Sequence, residues 1–180
     1  MLQITVPGRE LYDEVKEEFI TEHDQVLQLE HSLVSLHKWE SKWCKAFLGK
    51  DAKTDEEMLD YIRCMTMTQN VKPEVYERIS DENIKQVYEY INAPMTATYI
   101  SDESKGKGSK EIVTAELIYW WMITLNIPFE CRKWHLNSLL TLVQVCNIKN
   151  SPPKKKSKRD ILRSNAELNA ARKKKLNTKG

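Results

Sequence analysis

Polar and apolar residues alternate cleanly over Leu2-Gln3-Ile4-Thr5-Val6, and Pro7-Gly8 ends the run. The pattern predicts a strand followed by a turn. Residues 17–21 and 25–30 predict two further extended segments folded about His23-Asp24, with Leu27 and Leu29 on one face. The stretch 11–19 also has helical spacing, so two readings stand there. A small antiparallel sheet persists only with a third strand or a covering helix.

Downstream the period changes. Leu33, Leu36, Trp39 (or Glu40) and Trp43 recur three or four apart, an amphipathic stripe on a helix begun at Ser32 or Ser35 and reaching about Phe47. Thr54-Asp55-Glu56-Glu57 is a capping box: Thr54 caps and Glu57 reaches back to it. The helix it opens carries Met58, Tyr61, Ile62 and Met65 on one face. Ser80-Asp81-Glu82-Asn83 opens another, with Ile84, Val87, Tyr88 and Ile91, and Asn92-Ala93-Pro94 stops it. Residues 96–100 are β-rich and predict a short strand. Residues 101–110, SDESKGKGSK, predict a flexible loop.

The longest apolar block spans residues 111–150 and holds Trp120, Trp121 and Trp134. Residues 114–125 are apolar almost all the way round a helix, which predicts a helix enclosed by other elements. Asn126-Ile127 breaks the pattern. Pro128 suits the first turn of a new helix, running to about Cys146, with Phe129, Leu136, Leu139, Leu140 and Val143 at helical spacing. So short a connection implies antiparallel neighbours. The expected architecture is mainly α with a small N-terminal β element (α+β), a helical body around a central antiparallel helical hairpin, and a basic C-terminal helical tail. The expected division is a body over residues 1–150 and, over 151–180, a Pro-Pro linker with a basic helix. Ser157 offers that helix a cap, Ile161, Leu162, Leu168 and Ala171 give it a thin stripe, and Arg172–Lys175 and the last five residues are expected to fray.

Charge sharpens that division. After Pro153 eleven Lys or Arg stand against two acidic residues, a net +9; up to Pro153 seventeen stand against twenty-four, a net −7. An acidic body with a basic tail bears on partners and self-contact. Cys44, Cys64, Cys131 and Cys146 lie far apart with no CxxC pair, and are expected to be reduced and mostly buried. No apolar run is long enough to predict a membrane span, and no basic and apolar leader marks the N-terminus for secretion.

Motifs for chemistry are sparse. Cys131 and His135 stand i, i+4 on the expected helix, a ligand spacing, but Cys146 lies roughly 16 Å further along the axis, so no metal or cofactor is expected. There is no GxSxG, and Gly106-Lys107-Gly108 fits neither phosphate-binding pattern, so no catalytic residues are assigned. The basic tail has no aromatic to stack on bases, and an acidic body repels phosphate; docking on protein, including self-association, is favoured over nucleic acid. Trp120 and Trp121 point about 100° apart, and one small domain rarely buries both. The candidate partner-binding residues are therefore Trp120, Trp121, Trp134, Lys154, Lys155, Lys156, Arg172, Lys173 and Lys174.

Several stretches carry a resemblance: Trp39-Glu40-Ser41-Lys42-Trp43, Tyr61-Ile62-Arg63-Cys64-Met65-Thr66, Pro94-Met95-Thr96-Ala97-Thr98, ELIYWWMITLNIPFECRKWHLN from Glu116 to Asn137, and the terminal LNAARKKKLNTKG. Together they resemble the tail-assembly-chaperone group of long-tailed bacteriophages. The resemblance implies a non-enzymatic helper in the cytoplasm of a bacterial host. Such a helper coats the helical tape-measure protein, recruits tail tube subunits, and leaves before the virion is complete. It implies a second, longer frameshifted product in that group and no active-site residues. Two other readings stay open: a permanent tail or neck component of the virion, and a nucleic-acid binder acting through the basic tail.

Overall fold

A computed structural model describes residues 1–14, 17–100, 111–151 and 158–176, and of residues 13, 20, 158–161 and 174 the backbone alone. The expected loop at 101–110, the Pro152-Pro153 spacer and the Ser157 cap lie outside these residues. The fold is mainly α with a small N-terminal antiparallel β element, α+β as the patterning predicts. The chain divides into two compact units, Met1–Ile148 and Lys149–Gly180.

Of the N-terminal strands β1 (Leu2–Val6), β2 (Arg9–Asp13), β3 (Glu18–Glu22) and β4 (Gln25–Leu29), the patterning suggests all but β2, and the pairing it suggests is corrected as well. Segments 18–22 and 25–29 do not fold onto each other about His23-Asp24. β1 pairs with β4, and β2 with β3, both antiparallel. Leu2 faces Leu29, Val6 faces Gln25, Arg9 faces Glu22 and Asp13 faces Glu18. One register thus runs through both ladders, and Pro7-Gly8 lies opposite His23-Asp24. There the arm is pinched: the Gly8 N–H donates to Asp24 Oδ1 at 2.8 Å. A Cβ at Gly8 would sit 2.0 Å from the Glu22 carbonyl oxygen, so only glycine fits. The helical reading of 11–19 fails because cross-strand pairing satisfies that backbone.

The proximal ladder is part of the core. Ile4, Val6, Leu27 and Leu29 are buried on one face. Its outer edges are also closed. Met67 N–H donates to the Gln28 carbonyl and Glu30 N–H to that of Met65, while Asn83 Nδ2 donates to the Thr5 carbonyl.

Helices α1 (Leu33–Trp43) and α2 (Asp55–Met65) hold the centre. Ser32 caps α1, and Ser35 at its third position returns the bond, so both serines singled out in the sequence act at one helix start. Thr54 and Glu57 form the expected capping box on α2. The largest fully enclosed side chains, Trp39 and Tyr61, come from this helix pair. Phe47 stacks on Tyr61 with ring centroids 3.8 Å apart and meets Trp39 edge-on at 5.0 Å. Trp39 Nε1 donates to the Glu57 carbonyl at 2.8 Å. Glu57 is itself buried, and the Lys45 ammonium and Thr54 N–H hold its carboxyl below the usual range. α3 (Pro73–Tyr76) and α4 (Asp81–Asn92) follow, the latter against β1 and ending where Asn92-Ala93-Pro94 predicts. Residues 96–100 form no strand.

The expected central hairpin is corrected. α5 (Ala115–Thr124) packs against α1, and the chain then turns through Asn126, at φ 54°, into a 3-10 helix, Phe129–Lys133. α6 (Leu136–Asn150) starts only after an extended Trp134. The reason is tertiary: Ser32 and His135 form a β-bridge, and Leu136 N–H donates to the His31 carbonyl at 2.7 Å. That anchorage breaks the helix predicted from Pro128, so Cys131 and His135 do not share a helix face.

Two buried histidines meet at this anchor with rings 5.1 Å apart. His31 Nδ1 lies 2.6 Å from Tyr61 Oη. Asn137 N–H donates to His135 Nδ1, so Nε2 carries the proton and donates to the Tyr90 carbonyl at 3.0 Å. Burial, and then the neighbouring His135, push His31 down to about 3; burial also lowers His135. Tyr90 Oη donates to Glu30 Oε1 at 2.8 Å, and the N-terminal ammonium lies 3.1 Å from the other Glu30 oxygen.

The second unit contains α7 (Lys158–Leu176). Arg172–Lys175 lie within this helix, so the expected fraying there does not occur.

Candidate functional site

α5 is positioned by a buried carboxylate. Glu40 on α1 accepts from Phe47 N–H at 2.9 Å and from Ala115 N–H at 2.7 Å. One side chain thus joins the end of α1, the following loop and the first turn of α5, where a negative charge complements the helix dipole. Burial outweighs both donors and holds the Glu40 carboxyl above its ordinary pKa. Thr114 caps the helix.

The expectation that α5 is enclosed fails on one side. Ala115, Ile118 and Met122 are buried, but Trp120 is 58 % and Ile123 61 % exposed. Neighbouring elements leave uncovered the face that carries Trp120 and Ile123. Beyond α5, Phe129 and Trp134 are half exposed. Tyr119 stacks on Phe129 at 6.4 Å and receives His37 edge-on at 5.9 Å. These contacts hold the 3-10 segment against α5.

Trp121 is half-buried and lines a cleft of about 740 Å³ between the loop after α1, residues 111–113, α5 and α6. Leu48, Ile112, Val113, Leu140 and Val143 supply much of its wall. The cleft is mainly apolar, with Lys50, Asp51 and Glu111 at hand.

The candidate residues therefore scatter. Trp120 and Trp134 face outward and Trp121 faces a cleft, and among the described residues no ring pair joins the three. Arg172 and Lys173 are exposed on α7. Lys174 belongs to the same helix with its side chain outside the description, and Lys154, Lys155 and Lys156 lie outside the described residues altogether. Leu48, Ile112, Ile123 and Phe129 are added by the structure. Ile123 and Phe129 were visible as apolar positions, but helical spacing alone assigned them to a core. Of the cysteines, all free, only Cys131 is buried and Cys44 is exposed, against the expectation of mostly buried thiols.

Among the described residues no group of three or more His, Cys, Asp or Glu is placed to hold a metal ion, and no helix is long and apolar enough to cross a membrane. What the fold offers is apolar surface in clefts and on one helix face, the material of protein–protein contact. Comparisons with protein-family models, with curated proteins and with solved structures returned no match.

Proposed function

We propose that this chain is a non-enzymatic assembly chaperone of the phage-tail type, and that it binds a helical tape-measure client through α5 and the adjoining cleft. One observation carries the reading: α5 turns Trp120 and Ile123 to solvent while Trp121 lines an apolar cleft beside them. Exposed aromatic side chains next to a concave apolar wall suit the apolar face of an amphipathic helix, which anchors through residues three, four and seven apart. The resemblance of residues 116–137 to the tail-assembly-chaperone group falls on this same helix and turn.

Co-expression with a fragment of a tape-measure protein tests it. The fragment stays soluble with the wild-type chain, and less of it does so with Trp120→Ser combined with Ile123→Ser. Equal solubility with and without the chain defeats the reading. Stoichiometric recovery of the chain from purified virions assigns it instead to the permanent tail.

A further inference from the structure

A second cleft, of about 560 Å³, lies on another part of the body between α2, α3 and α4. Its floor is apolar: Met58, Leu59, Ile79 and Ile84 are half-buried there, and Tyr88 stands 44 % exposed at one side. Its rim carries Asp55, Glu56, Glu77 and Asp81, and no Lys or Arg lines it. Arg63 stacks over the ring of Tyr76, a lining residue, at 5.2 Å. Three of the four acids sit in first turns of α2 and α4, where the helix dipole accounts for them. Glu77 is different. It caps the C-terminus of α3, the end at which a carboxylate is disfavoured.

α7 is complementary to that cleft. Leu162, Leu168 and Leu176 are 70 %, 53 % and 70 % exposed. At 100° per residue the three fall within an arc of roughly 120°, one face of the helix. Lys173 and Lys175 are exposed at the two margins of that arc, Arg172 is exposed within it, and Arg163 is exposed further round the helix. A helix with so thin a stripe is marginal alone in water and gains from a surface that covers it.

We propose that the acidic-rimmed cleft between α2 and α4 receives α7 of a second copy of this chain. The apolar face of α7 lies on Met58, Leu59 and Ile84, and its basic residues flank Glu56, Glu77 and Asp81. Cleft and helix are different surfaces, so the contact is heterologous: each copy that receives a helix still has its own to offer, and copies add head to tail. The cleft between α2 and α4 shares no lining residue with the client cleft, so association of copies and client binding can be lost separately.

Sedimentation velocity on the full-length chain, from low to several hundred micromolar, tests it with two variants. Glu56→Lys with Glu77→Lys disables the cleft; Leu162→Ser with Leu168→Ser disables the helix. All four positions are exposed or solvent-facing, and circular dichroism checks that each variant is folded. The wild type grows in mass with concentration, and either variant alone stays monomeric. An equimolar mixture of the two forms a 1:1 dimer and nothing larger, because it contains one working cleft and one working helix. A labelled peptide of residues 158–176 binds the helix-disabled chain and binds the cleft-disabled chain about tenfold or more weakly. A wild type that stays monomeric throughout, as docking within one chain would give, overturns the proposal. So does a mixture that fails to dimerise, or association that survives both pairs of substitutions.

Discussion

Acidification tests the anchor between the N-terminal arm and α6. His31 is buried against Tyr61 and His135 and is held at about 3, against 6.5 in an unfolded chain. The unfolded state therefore binds a proton between these two values that the native state refuses. Stability from this source is complete above pH 6.5 and falls as the pH drops below it, until the native value is reached. At about 1.4 kcal/mol per pKa unit the full difference is about 5 kcal/mol, of which about 2 kcal/mol is lost by pH 5. His135 is lowered as well, and its loss has the same sign. The groups facing the pair are Tyr61, Tyr90, Glu30 and the N-terminal ammonium. Urea midpoints at about pH 7 and pH 5 measure the loss, and His31→Gln, which keeps a hydrogen-bonding side chain but cannot titrate, isolates it. The wild type loses about 2 kcal/mol more than the variant over that interval. NMR gives the direct check: the His31 imidazole stays neutral to pH 5 in the folded chain. A native His31 titrating near 6.5, or a variant with the same slope as wild type, refutes the reasoning.

Other perturbations follow from the contacts. Glu40→Ala strands the Phe47 and Ala115 N–H groups and costs about 2–4 kcal/mol, read as a lowered thermal midpoint. Glu40→Gln retains one acceptor oxygen and costs less. Trp39→Ala empties a site that is 1 % exposed and costs about 3–5 kcal/mol, enough to leave much of the body unfolded by circular dichroism. Thr54→Ala removes one member of the capping box and costs about 1 kcal/mol. Trp120→Ser changes stability by no more than about 0.5 kcal/mol while removing solvent-quenched tryptophan fluorescence; a large loss would place that indole in the core.

What the sequence made legible was local. Thr54 with Glu57 and Asn92-Ala93-Pro94 act within one helical turn, and short-range rules find them; the same rules left the start of α1 open between Ser32 and Ser35, which act together. Where long-range contacts decide, patterning failed. Nothing near His135 in the sequence announces the bridge to Ser32 that delays α6. Patterning marked β1, β3 and β4 but neither β2 nor the fact that β4 would bypass β3 for β1, since pairing depends on what lies across the arm. The apolar count of residues 114–125 suggested an enclosed helix, yet α5 is open on one side. A partner-facing face and a core face have the same composition. The three tryptophans were therefore visible as residues, while their separation into two outward rings and one cleft wall was not.

The pinch at Pro7-Gly8 has a consequence for how this chain tolerates change. The apolar side chains buried in the body belong to the proximal ladder, whereas the distal ladder carries Leu11, Tyr12 and Phe19 into solvent, with the Tyr12 and Phe19 rings 5.1 Å apart. The Arg9–Glu22 rung is tied to the body, because the Glu22 carboxylate also pairs with the Arg78 guanidinium at 3.3 Å. Because strand side chains alternate in period two, trimming two facing rungs beyond Arg9–Glu22 leaves every remaining residue on its original side, while trimming one rung turns the tip over. Past that rung the antenna can be lengthened or shortened in even steps without disturbing what lies below it.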